Sequence, residues 1–184
     1  MLVQYNEIHY YYFLGGMLSL NFFFSNSTQG EIPCEDDQAS TKVAYDEVKA
    51  ILDFKPDRLG HALLLPPSLQ TVLKALQIPV ESCPTSNVMT LELAKHFSGK
   101  LLDGVRRHPQ LDDWITNGHP ISINTDDPGI FDTDPTKELI LLHEAFDDVS
   151  IDHLFDIVMK SIDQAFCDDE TKDTIKERIS NHWR

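Results

Sequence analysis

Pro120-Ile121-Ser122-Ile123-Asn124-Thr125-Asp126-Asp127-Pro128-Gly129 is the stretch on which the fold turns. Apolar and polar residues alternate from Ile121 to Asn124, the period of a strand with one buried face. The strand runs directly into two adjacent carboxylates and a Pro-Gly stop. Neighbouring side chains on extended backbone point in different directions, so Asp126 and Asp127 can divide labour, one on a cation and one on a substrate. An isolated Asp-Asp-Pro more often serves as a helix cap or Asx-turn before the proline.

Outward from this strand the periodicity changes. Upstream, Ala44, Val48, Ile51 and Leu52 share one face of a helix over residues 40–52, behind a Ser40 cap. A short segment from Arg58 to Leu65 ends at Pro66-Pro67, and Pro67 suits the first turn of the next helix. That helix carries the stripe Leu69, Val72, Leu73 and Leu76. Pro79-Val80-Glu81-Ser82 reads as a brief strand entering a loop, Cys83-Pro84-Thr85-Ser86-Asn87. Pro109 opens another helix, with Leu111, Trp114 and Ile115 inward and Gly118 as its stop.

Downstream, three helices close the chain. The first starts at Pro135 under an Asp134 cap and buries Leu139, Leu142 and Phe146. The second is capped by Ser150 and shows Ile151, Leu154, Phe155, Val158 and Ile162. The third has Ile175 and Ile179 on a mostly polar surface. Strands alternating with helices at these lengths predict parallel pairing and right-handed crossovers, in a barrel or an open doubly wound sheet. Either fold gathers reactive groups at the carboxyl ends of its strands. Those ends hold His61, the Cys83–Asn87 loop and Asp126-Asp127.

The 184 residues are the length of one compact domain, and 41% hydrophobic against 24% charged residues allows a real core. Fifteen basic against thirty acidic side chains give a net charge of −15. Such a field repels nucleic-acid phosphates and anionic membranes, so neither is an expected partner, whereas a small molecule in a pocket is compatible. Cys34, Cys83 and Cys167 form no close pair. They predict a reducing, cytoplasmic setting and incidental thiols rather than metal ligands.

The N-terminus differs from the rest. No charged side chain appears from Ile8 to Gly30, no lysine or arginine precedes Lys42, and the first 24 residues hold eight aromatic residues. A signal peptide fits the apolar stretch but lacks its positive start. A membrane span is diluted by Gly15, Gly16, Ser19 and Asn21. A translated intron end fits the Phe- and Ser-rich run from Phe22 to Gln29. Residues 1–29 are therefore expected to form a segment apart from residues 30–184.

His61 within Arg58-Leu59-Gly60-His61-Ala62 is a weak signal alone, as is Glu31 after Gly30; a lone histidine is more often a satisfied, half-buried one. Taken in order, Gly30-Glu31, Arg58–Ala62, Cys83–Asn87 and Asn124–Pro128 resemble the adenosine deaminase family, including its adenosine-deaminase-like branch, over about residues 30 to 180. AMP deaminase shares parts of these motifs. The stretch Ser82–Val88 resembles the branch acting on N6-modified purine nucleotides such as N6-methyl-AMP, and Ile123–Pro128 resembles ordinary adenosine deaminase. The resemblance implies a (β/α)8 barrel of TIM type holding one zinc ion, whose bound water attacks C6 of the purine. It implies Asp126 as the zinc carboxylate, Asp127 as the group that holds the base and orients the attacking hydroxide, and His61 as base or electrostatic stabiliser. Glu31 would protonate ring nitrogen N1, with Gly30 in the substrate-binding set. Ammonia leaves, and an inosine-type product remains.

The chain also departs from that pattern. The family's zinc takes a His-x-His pair, yet His9 stands alone with Tyr11 at the second position after it. A third histidine is expected three residues before Glu31, where this chain has Thr28, and a hydroxyl is a far weaker zinc ligand. Only Asp126 remains of the four expected ligands. A full barrel takes about 250 residues and eight strands, so residues 30–184 are expected to form an incomplete, C-terminal half-barrel with trailing helices. Such a half exposes strand edges and an apolar face. Alone it is expected to bind little zinc, to deaminate nothing, and to aggregate or pair. Two other readings remain open: a non-catalytic remnant binding a nucleoside or a partner subunit, and another metal-dependent amidohydrolase.

Overall fold

The computed structural model describes residues 19–21, 38–63, 65–95 and 98–183. His9, Thr28, Gly30 and Glu31 lie outside the described residues. The chain divides into two compact units, Met1–Val80 and Glu81–Arg184.

In the first unit β1 (Ser19–Asn21) runs parallel to β2 (Arg58–Gly60), with Ser19 opposite Arg58 and Asn21 opposite Gly60. The Leu59 amide donates to the Pro79 carbonyl at 2.8 Å, which places β2 beside the chain entering β3 (Val80–Ser82). The helix between the first two strands, α1 (Gln38–Phe54), starts two residues before Ser40. Ser40 is thus inside the first turn and is not the cap. Val48 and Leu52 are buried as their spacing requires. Helix α2 (Pro67–Leu76) has Pro67 in its first turn, where the missing N–H costs nothing, and ends at Gln77 in the left-handed region. Its apolar stripe is narrower than the sequence implies. Leu69 and Leu73 are buried, whereas Val72 and Leu76 are each 37% exposed. Full burial of each leucine is worth about 1.5–3 kcal/mol, so two residues a turn apart suffice to seat a ten-residue helix.

In the second unit the Asn124 amide donates to the Ser82 carbonyl at 2.9 Å, linking β3 to β4 (Ile121–Ile123). The stretch after β3 is not a loop. Residues Pro84–Thr90 form a helix, α3, with Pro84 in its first turn and residues 84–88 all buried. Ser, Thr and Asn are poor helix formers, so tertiary burial decides this segment over local propensity.

Helix α4 (Leu101–Val105) has no counterpart in the sequence reading. Arg106 at its end donates from Nε to the Ala145 carbonyl (3.1 Å) and from Nη2 to the Glu144 carbonyl (3.0 Å). A cation there satisfies the last carbonyls of α7 (Pro135–Ala145) and suits the negative end of that helix.

Helix α5 (Leu111–Thr116) begins two residues after Pro109, because the His108 ring takes over the start: Nδ1 accepts from the amides of Gln110 (3.3 Å) and Leu111 (3.0 Å). Gly118, at φ +63°, ends it as expected. Leu111 and Trp114 are buried and Ile115 is only partly covered. Trp114 neighbours the rings of His108 (6.0 Å) and His119 (6.3 Å, stacked).

After β4 come α6 (Pro128–Phe131), α7, α8 (Ile151–Asp163) and α9 (Asp169–His182). Asp134 and Ser150 cap α7 and α8 through the amides of Lys137 and His153, as the sequence predicts. Helix α8 packs on β4 and buries Leu154 and Ile162, while Ile151 is 52% exposed and outside the buried face. Leu142 is buried on α7, but Leu139 and Phe146 are only partly covered. Among the described residues no helix is long and apolar enough to cross a membrane.

Candidate active site

Both strand ends that carry candidate side chains turn sharply into the left-handed region. In the first unit His61 follows β2 at φ +57° and Ala62 follows at φ +48°, both buried. The Ala62 amide closes the turn on the Gly60 carbonyl at 2.6 Å. Histidine, asparagine and aspartate are the non-glycine residues that enter this region most readily.

In the second unit Asp126 follows β4 at φ +57°. The Ser86 hydroxyl, buried on α3, donates to Asp126 Oδ2 at 2.7 Å. Asp127 occupies the N-cap position of α6, yet its side chain makes no cap hydrogen bond and it is exposed. The cap reading therefore describes its place but not the use of its carboxylate. Both aspartates are exposed, and they differ in their bonding: Asp126 accepts the Ser86 hydroxyl, whereas Asp127 makes no cap bond.

Beside Asp126 lies Cys83. Burial, and then the carboxylates of Asp126, Glu81 and Glu138, push its thiol well above the ordinary range, partly offset by a hydrogen bond from the Asp126 backbone. A thiol kept protonated is a poor nucleophile and a poor metal ligand, in keeping with its reading as incidental. Glu138 on α7 is fully buried and accepts the Thr85 amide (Oε2, 3.1 Å) and the Thr133 hydroxyl (Oε1, 2.6 Å). Neither Ser86 nor Glu138 has an assigned role in the sequence reading. Ser86 is inside a motif that the sequence singles out; Glu138 resembles an ordinary first-turn acid of α7.

An apolar cavity of about 330 Å³ in this unit is lined by Ile123, Leu139, Val158, Ile179 and Trp183 among others, and includes neither aspartate. Among the described residues no group of three or more His, Cys, Asp and Glu side chains could hold a metal ion. Asp126, already bonded to Ser86, offers one carboxylate, and a zinc ion needs three or four protein ligands. The described residues do not by themselves fit that ion.

A family model described as adenosine deaminase matches residues 41–182. The N6-mAMP deaminase of Arabidopsis thaliana is 34% identical over 134 residues, which are 71% of this chain and 34% of that protein. An adenosine deaminase of Shewanella pealeana is 34% identical over 118 residues, 63% of this chain and 32% of that one. Among solved structures, arabidopsis ADAL complexed with GMP superposes with a TM-score of 0.64 at 32% identity, covering 74% of this chain and 37% of that one. The apo N6-methyl-AMP deaminase from Arabidopsis thaliana gives 0.64 at 33%, with the same coverage. The chain spans about a third of the length of the curated relatives it matches. Its parallel strands and intervening helices are thus part of a TIM-type barrel rather than an open doubly wound sheet. The matched span, the shared identity and the fold lead to one conclusion: this chain belongs to the adenosine deaminase family.

Proposed function

We propose that the chain carries part of the site of a zinc-dependent hydrolase that removes the exocyclic amine of adenosine or of an N6-modified adenine nucleotide, and that it is inactive on its own. The observation carrying this reading is the pair Asp126-Asp127 at the carboxyl end of β4, the first accepting the Ser86 hydroxyl, within a segment matched by the family model. Relatives named N6-mAMP deaminase and a related structure holding GMP favour a nucleotide substrate.

In this reading Asp127 accepts a hydrogen bond from the purine, and His61 acts as base or electrostatic stabiliser. Glu31 supplies a proton to N1, and Gly30 belongs to the substrate-binding set. The family is metal-dependent, and Asp126 would contribute one carboxylate to the ion. Alone it does not retain zinc, and this is the physical basis of the proposed inactivity. Residues 30–184 form the deaminase-type portion and residues 1–29 a segment apart. Cytoplasmic purine metabolism is the corresponding setting.

The test is a chimera in which residues 41–182 replace the matching segment of the Arabidopsis N6-mAMP deaminase. The expected result is stoichiometric zinc and loss of ultraviolet absorbance characteristic of deamination, abolished by Asp127→Asn. A folded, zinc-loaded chimera that turns over neither adenosine nor N6-methyl-AMP overturns the deaminase reading. Stoichiometric zinc and turnover by the chain alone overturn the proposed inactivity.

A further inference from the structure

Glu138 is a buried carboxylate on α7 that stands outside the Asp126-Asp127 pair. Polar oxygens removed from water are tolerated only when they are hydrogen-bonded, and both are: Oε2 accepts the Thr85 amide and Oε1 the Thr133 hydroxyl. The places of those two donors are informative. Thr85 is next to Ser86, whose hydroxyl holds Asp126 Oδ2. Thr133 follows α6, the helix that Asp127 begins, and its amide closes on the Pro128 carbonyl at 3.4 Å. One side chain therefore ties down the helix that carries the hydroxyl and the segment that follows the two aspartates. A leucine of similar size would fill the space but leave both donors without a partner.

We propose that Glu138 is a positioning residue: by clamping Thr85 and Thr133 it keeps Ser86 on Asp126 and so fixes the direction in which the Asp126 carboxylate points. This rests on the reading of Asp126 as a site carboxylate. Glu138 touches no reacting atom; its action runs through Thr85, Ser86 and the turn after α6.

The experiment uses the full chain, labelled for nuclear magnetic resonance, and reads the side-chain carboxyl signal of Asp126 together with hydrogen exchange at the Thr85 amide. Ser86→Ala defines the signal of Asp126 without its hydroxyl partner. Glu138→Leu and Thr133→Val are expected to move the Asp126 signal in the same direction. Glu138→Leu also accelerates Thr85 exchange by about ten-fold or more. Glu138→Gln is the rescue: its oxygen accepts the Thr85 amide and its NH2 donates to the Thr133 hydroxyl, which turns to accept. It is expected to leave Asp126 at its wild-type position.

If Glu138→Leu does not fold, Thr133→Val and Glu138→Gln decide the matter. An Asp126 signal unmoved in Thr133→Val while Ser86→Ala moves it overturns the proposal. So does Glu138→Gln shifting Asp126 as far as Ser86→Ala. A merely structural role would lower stability and leave that signal in place. Neither readout uses turnover, so a failure of the deaminase reading is seen in the chimera and not here.

Discussion

Gly104→Ala tests how closely α3 and α4 pack behind the Ser86–Asp126 contact. A Cβ at Gly104 would overlap Cγ1 of Val88 and lie 3.3 Å from both Cβ and N of Ala94. Val88 is 2% exposed, and a β-branched side chain has little rotamer freedom with which to move away. Two effects oppose one another. Alanine in a helix is favoured over glycine by about 1 kcal/mol, whereas forcing a methyl into a packed core costs about 1–3 kcal/mol. The clash wins in this geometry, because the obstructing atom belongs to a buried side chain and not to the tip of a flexible one. The expected net loss is up to about 2 kcal/mol. Urea denaturation followed by tryptophan fluorescence and circular dichroism reads the midpoint. Val88→Ala in the same chain should absorb the new methyl, giving a favourable coupling of about 1 kcal/mol in the double-mutant cycle. A Gly104→Ala chain with a raised midpoint, together with an additive double mutant, would refute the close approach.

Two further outcomes follow from the second unit. Trp114→Ala, which removes a buried ring and its contacts with His108 and His119, should cost about 3–5 kcal/mol in denaturant titration, and Trp114→Phe clearly less. Asp168 caps α9, and hydrogen bonds from the Thr171 side chain and backbone hold its carboxyl below the ordinary 3.8. The unfolded state thus takes up the proton first. The helical signal of α9 should be steady above about pH 4 and fall as pH drops further through the lowered value, with Asp168→Asn flattening that dependence. An unchanged slope in the variant would show that another group is responsible.

Much of the fold is legible where one residue has a single local meaning. Pro67 and Pro135 open helices, Asp134 and Ser150 cap α7 and α8, and Gly118 ends α5, because each acts on backbone within a turn of itself. The alternation at Ile121–Asn124 yields β4 for the same reason. Residues Pro84–Thr90 do not, since their helix exists through burial that no local pattern encodes. Leu101–Val105 is too short and has a glycine where a helix is usually written. At the candidate site, Asp126 and Asp127 stand out as adjacent acids at a strand end. Their supporting contacts do not: Ser86 reaches Asp126 across 40 positions, and Glu138 reaches Thr85 across 53. Such pairings are set by how elements dock, and a single chain read residue by residue carries no mark of them.

The left-handed turns at His61 and Asp126 set two rankings against each other. Any Cβ at those positions disfavours the local backbone, so glycine is the residue a stability-sorted library would enrich there. An imidazole and a carboxylate would score below it. A mutational scan of this chain that tracked abundance alone would therefore mark both positions as open to improvement, and would discard the two side chains on which the chemistry is argued to depend.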